Sequence, residues 1–123
     1  MRKMTEYAPE IGNSDEYDCK RYIDKIIKTN REIFIMSSLL EKPMCGYDII
    51  KEIFLKCNVF LSQGTVYPVL YSLEEEGILY AEYNKGDMRS KKYSLTLKGK
   101  EIAQKNIDEF VESINHLTFL IQR

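Results

Sequence analysis

Residues 62–72, SQGTVYPVLYS, place a hydroxyl at Ser62, an amide at Gln63, a glycine at Gly64, a second hydroxyl at Thr65 and phenols at Tyr67 and Tyr71. Apolar residues recur at Val66, Val69, Leu70 and Leu73, spaced i, i+3, i+4 and i+7, so a helix here turns one stripe inward. The polar and aromatic residues are left facing out. That is a surface for reading nucleic acid. The Gln63 amide can pair with adenine N6 and N7, and the Thr65 side chain can meet a thymine methyl group or a phosphate. Ser62, Tyr67 and Tyr71 can donate to phosphate oxygens, while Gly64 lets a phosphate come close to the backbone. Residues 85–92 add Lys85, Arg89, Lys91 and Lys92 against Asp87, a local charge of +3 in a chain whose formal net charge is -1. Phosphate contacts supply much of the affinity for DNA, so this segregated charge matters more than the acidic total.

Catalytic chemistry has no comparable signal. His116 is the only histidine and lies beside an apolar seam, where an interface residue is the plain reading. Glu74, Glu75 and Glu76 are consecutive, so on a helix they fan apart and cannot form a facing carboxylate pair. Cys19, Cys45 and Cys57 are odd in number and never form a CxxC pair, so neither a disulfide framework nor a metal site is indicated. All three read as packed thiols, with Cys45, just before Gly46, the one placed to act as a redox sensor. The sequence predicts no enzyme, no metal and no cofactor.

The elements that must position the outward face are legible around it. Residues 1–18 are acidic, lack an apolar period and read as a flexible arm. From residue 19 to 40 a helical stripe carries Ile23, Ile26, Ile27, Ile33, Phe34, Ser37 and Leu40, and the capping-box spacing of Thr29 and Glu32 allows a break near Asn30. Pro43 stops this helix. A second helix over 46–56 turns Ile49, Ile50, Ile53 and Phe54 inward, and residues 57–61 join it to the outward-facing helix as a helix-turn-helix. Ser62 is placed to cap that helix through its hydroxyl, and Gly77 to end it. Pro68 inside it either bends the first turn toward a groove or only shapes packing. Residues 78–84 and 89–95 alternate as strands of a hairpin, and Thr96 caps a last helix.

In that last helix Ala103, Ile107, Phe110, Ile114, Leu117 and Ile121 follow a 4-3-4-3-4 spacing, the seam of a helix lying along another helix. With Phe119 and Leu120 they form a predicted homodimer interface. The fold class is mainly α with a small β-hairpin: an arm over 1–18, a winged helix-turn-helix domain over 19–97 and a dimerisation helix over 98–123. No apolar run reaches about 18 residues, so no membrane span is expected and the chain is placed in the cytoplasm.

The stretches EIFIMSSLLEKPMCGYDIIKEI, LSQGTVYPVLYSLEEEGIL and KKYSLTLKG, in that order, resemble the PadR family of winged-helix transcription regulators, in the short form with one C-terminal helix. The resemblance implies a dimeric regulator of a pseudo-palindromic operator in double-stranded DNA, acting as a repressor, with an apolar dimer interface able to admit a small flat aromatic effector. One departure stands out: between residues 62 and 77 this chain has no basic side chain. The alternative from another functional class is a winged-helix protein-interaction module that does not bind DNA, suggested by the acidic total and that bare helix.

Overall fold

The computed structural model describes residues 14–84 and 87–123, with side chains over 19–83 and 91–123. Predicted features on residues 1–13, Lys85 and Gly86 lie outside the described residues, as does the side chain of Arg89. Helix α1 spans Ser14–Thr29 and α2 spans Arg31–Glu41, so the predicted break falls at Asn30, and helix reaches back to Ser14 rather than starting at Cys19. The capping box does not form. Asn30 stands at the junction, and its side-chain amide donates to the Ile26 carbonyl at 2.9 Å.

Strand β1 (Met44–Cys45), helix α3 (Gly46–Cys57) and helix α4 (Gln63–Glu75) follow. Asn58 ends α3 in the left-handed conformation, φ 57°, and the following Val59 and Leu61 are buried, which fixes the turn between the two helices. Strand β2 (Leu79–Asn84) and strand β3 (Asp87–Leu95) form the hairpin, and β1 adds to it in the order β1-β3-β2, all antiparallel. Strand β1 was not among the elements expected from the sequence. Its two residues pair with Tyr93 and Lys92, which locks the wing to the start of α3.

One core joins these layers. Ile35, Met36 and Leu39 of α2, Ile49 and Ile53 of α3, and Val66, Leu70 and Leu73 of α4 meet Leu79, Tyr93 and Leu95 of the hairpin. Truncating any large member to alanine costs about 2–5 kcal/mol. Four stripe assignments change. Ile23, Ile26 and Ser37 are exposed, and Ser38 is buried in place of Ser37, because α1 breaks away from α2 at Asn30 and rotates the stripe; in α3, Phe54 is exposed as well.

The end of α4 explains how the wing is aimed. Gly77 takes φ 78°, its N–H donates to the Glu74 carbonyl, and the Ile78 N–H donates to the Leu73 carbonyl at 2.9 Å. This pair of bonds reverses the chain directly into β2. Helix α5 (Leu97–Gln122) begins against the same corner: the Thr96 hydroxyl accepts from the Gly99 N–H at 2.8 Å and lies 2.8 Å from the Gly77 carbonyl. Gly99 sits where a glutamate would complete a capping box because a Cβ there would strike the Ile78 carbonyl.

Candidate nucleic-acid interface

Helix α4 packs its Val66, Leu70 and Leu73 side into the core, which leaves Gly64, Pro68, Tyr71, Ser72 and Glu75 exposed on the opposite side. Ser62 and Gln63 are exposed at its first turn, and Thr65 is half-buried. Ser62 occupies the cap position with extended backbone, yet its hydroxyl does not accept from a backbone N–H. It pairs with the Thr65 hydroxyl at 3.1 Å, and the Thr65 and Val66 N–H groups bond the Ser62 carbonyl instead. Nothing in the chain requires a glycine at 64, where a Cβ would meet only Ser62 Oγ at 3.8 Å. Pro68 lies within a continuous α4.

The two tyrosines differ in setting. Tyr71 is exposed. Tyr67 is half-buried, its ring lying over Gly46 at the start of α3, where an added Cβ would come within 2.5 Å of Cζ. Burial is the main cause that raises the Tyr67 pKa, reinforced by Cys45 and Tyr71 nearby, so the phenol stays a hydrogen-bond donor. The rings of Tyr67 and Tyr71 stand 6.0 Å apart.

Lys91 and Lys92, the two wing cations whose side chains are described, do not share one face. Lys91 and Lys92 are adjacent in β3, so they leave opposite faces of the sheet. Lys91 points to α4, where its ammonium lies 3.2 Å from Glu74 and over the rings of Tyr71, Tyr83 and Tyr93 at 5.6, 5.7 and 5.3 Å. Burial disfavours the Lys91 charge, but the Glu74 hydrogen bond and the Tyr93 phenol outweigh it and raise its pKa. Lys92 is exposed on the other face, beside Lys42 and Lys51. Lys91 is thus a strut between wing and helix. Glu74, read from sequence as a solvating residue, is its partner.

On the opposite flank of α4, a crevice of about 680 Å³ separates Ser62, Gly64, Thr65, Pro68 and Ser72 from Lys28, Arg31 and Glu32 of the α1–α2 corner. Sequence reasoning passed over this corner. The signal that could have found it is the charge of residues 20–32, five cations against two acids, a net +3.

On α5, Ala103 is fully buried in the chain's own core and therefore leaves the predicted dimer seam. Phe110 meets Phe34 of α2 edge-on at 5.9 Å, so it too packs within the chain. Ile107 and Ile114 are half-buried, whereas Leu117, Phe119, Leu120 and Ile121 are exposed, together with Val111. His116 is exposed. Among the described residues, no group of His, Cys, Asp and Glu could hold a metal ion, and no helix is long and apolar enough to cross a membrane.

Comparison with known proteins agrees with this architecture. The model of the transcriptional regulator PadR-like family matches residues 35–105. No curated protein is similar enough to count as a match. Among solved structures, a transcriptional regulator from Clostridium thermocellum superposes with a TM-score of 0.71 at 22% identity, over 80% of this chain and 99% of that one. A PadR family transcriptional regulator from Eggerthella lenta gives 0.71 at 20% identity over 89% of this chain and 98% of that one. A PadR family transcription regulator from Clostridium difficile gives 0.59 at 28% identity over 72% of this chain and 96% of that one. Such regulators act by binding rather than by catalysis. With more than half of its residues matched by that family's model, this chain belongs to the PadR-like family of transcriptional regulators.

Proposed function

We propose that this chain is a sequence-specific DNA-binding repressor that acts as a homodimer on a pseudo-palindromic operator. The observation that carries this reading is the outer side of α4. Gln63, Gly64, Pro68 and Tyr71 are exposed there and have no core role, next to a wing whose angle is set by the Gly77 turn and the Lys91–Glu74 strut. A helix with a free polar first turn is the element that enters a major groove, its N-terminal residues nearest the bases. Gln63 and Thr65 then read bases, and Ser62, Tyr67 and Tyr71 hold phosphates. Of the wing cations, Lys92 is an exposed backbone contact, and Lys85 and Arg89 add to it. Lys91 acts by holding Tyr71 and the wing in register.

Helix α5 supports the dimer. Its 26 residues extend about 39 Å at 1.5 Å per residue, and the exposed Val111, Leu117, Phe119, Leu120 and Ile121 fall in the half beyond the contact with α2. Five large apolar side chains on one helix end are buried by pairing with a second copy, with Ile107 and Ile114 at the edge of the seam. Two copies then present α4 twice, about one DNA turn or 34 Å apart. Release of repression by a small aromatic effector seated between the paired helices is the regulatory form of the reading.

Selection of fragments from the source genome by the purified protein tests it. Recovered sequences should share two inverted half-sites with centres about 10 base pairs, or a multiple of that, apart. Recovery without any shared sequence would refute sequence-specific regulation.

A further inference from the structure

Helix α4 has a difficulty that the wing does not remove. It carries no cation of its own, and Lys91, which reaches it from the wing side, is already bound to Glu74. DNA on its outer face would have two backbones to neutralise, one on each side of the groove, and the Lys91 strut lies on one side of α4 only. The flank away from the wing is formed by the α1–α2 corner. There Lys28 and Arg31 share a crevice with Ser62, Thr65 and Ser72 of α4.

We infer that Lys28 and Arg31 form a second phosphate clamp, gripping the DNA strand on the side of α4 opposite the wing. This rests on the DNA-binding reading given above and deepens it. Both residues are exposed. Arg31 donates one hydrogen bond, 3.0 Å, to the Lys28 carbonyl at the end of α1, which holds the guanidinium at the crevice, with four further N–H donors not used by that bond. Lys28, itself exposed, rests 2.8 Å from the half-buried Asp24 on the same helix, a surface pair in which a phosphate can replace the carboxylate. Glu32 lines the same crevice and opposes a phosphate there. The whole stretch from Lys20 to Glu32 still carries +3, with Lys20, Arg21 and Lys25 further back along α1. The family match begins at residue 35, so this corner is a feature of this chain outside the matched region.

The test uses the full chain and a mixed-sequence 30-base-pair duplex, with affinity measured by fluorescence anisotropy across a range of KCl. The double variant Lys28→Gln/Arg31→Gln should lower the slope of log K against log salt by about 0.9 per lost contact, roughly 1.8 for each bound subunit. The charge-keeping variant Lys28→Arg/Arg31→Lys should restore most of the slope, and circular dichroism melting should show that both fold as the parent does. Lys92→Gln, on the wing, serves as the independent arm. If Lys92→Gln reduces the slope and the Lys28/Arg31 variant leaves it unchanged, the clamp is refuted while the DNA-binding reading stands. If the parent protein itself shows no binding, both fall together.

Discussion

Replacing Gly46 by alanine probes the seat of Tyr67, the residue that connects α3 to the outer face of α4. The new Cβ would lie 2.5 Å from Cζ and 2.7 Å from both Cε1 and the hydroxyl oxygen of Tyr67. Carbon atoms in contact need about 3.5 Å, so the ring must retreat by about 1 Å, away from α3. Tyr71, with its ring centroid 6.0 Å away, stands close by. Overpacking of this kind costs about 1–3 kcal/mol, offset by up to about 1 kcal/mol because alanine is a better helix former than glycine. The net loss should be about 1–2 kcal/mol, seen as a fall of about 4–8 °C in melting temperature. Tyr67→Ala alone, removing a half-buried ring, should cost about 1–2 kcal/mol, below the full-burial range. In the double variant the clash is gone, so the two losses should not add, and a double-mutant cycle from urea melts should give coupling of about 2 kcal/mol. A Gly46→Ala protein as stable as the parent, or strictly additive losses, would show that the ring does not rest on Gly46.

The Tyr93 hydroxyl is buried and, among the described residues, is the one buried side-chain polar atom without a hydrogen-bond partner. Tyr93→Phe should therefore raise stability by about 1 kcal/mol in urea melts. Burial holds the Tyr93 pKa above the ordinary tyrosine value, with Lys91 pulling against it. A folded pKa above the unfolded one gives stability that is complete below about pH 10 and is lost as pH rises through the folded value, so the parent should lose melting temperature above pH 10 more steeply than Tyr93→Phe. Gly99→Ala should destabilise by about 3 kcal/mol, because its Cβ meets the Ile78 backbone rather than a movable side chain; an unchanged urea midpoint would contradict the α5 corner. Leu117→Glu/Leu120→Glu should sediment as a monomer without loss of helix signal, since both side chains are exposed in the single chain; persistence of the dimer would move the interface elsewhere.

The order of elements was legible because local signals agreed: the i, i+3, i+4, i+7 stripe of α4, the proline after α2, the glycine ending α4 and the threonine before α5 all act within a few residues. The features that were not legible depend on contacts distant in sequence. Two residues of β1 have no periodicity of their own and exist only by pairing with Tyr93 and Lys92. Whether Lys91 faces DNA or Glu74 is decided by which side of β3 packs on α4, and composition does not encode that choice. The seam on α5 was continuous in sequence, but α2 covers its first half through Ala103 and Phe110, so only the later half remains for a partner. Lys28 and Arg31 were hidden for a similar reason, since only tertiary packing brings them to one crevice with Ser62 and Thr65.

The most direct test of DNA recognition by α4 in a dimer is the salt dependence of binding to duplex DNA. A dimer making six phosphate contacts should lose about 10³-fold in affinity between 50 and 200 mM KCl. Affinity that is absent throughout, or unchanged across that range, would contradict the account and favour a winged-helix module that binds other proteins.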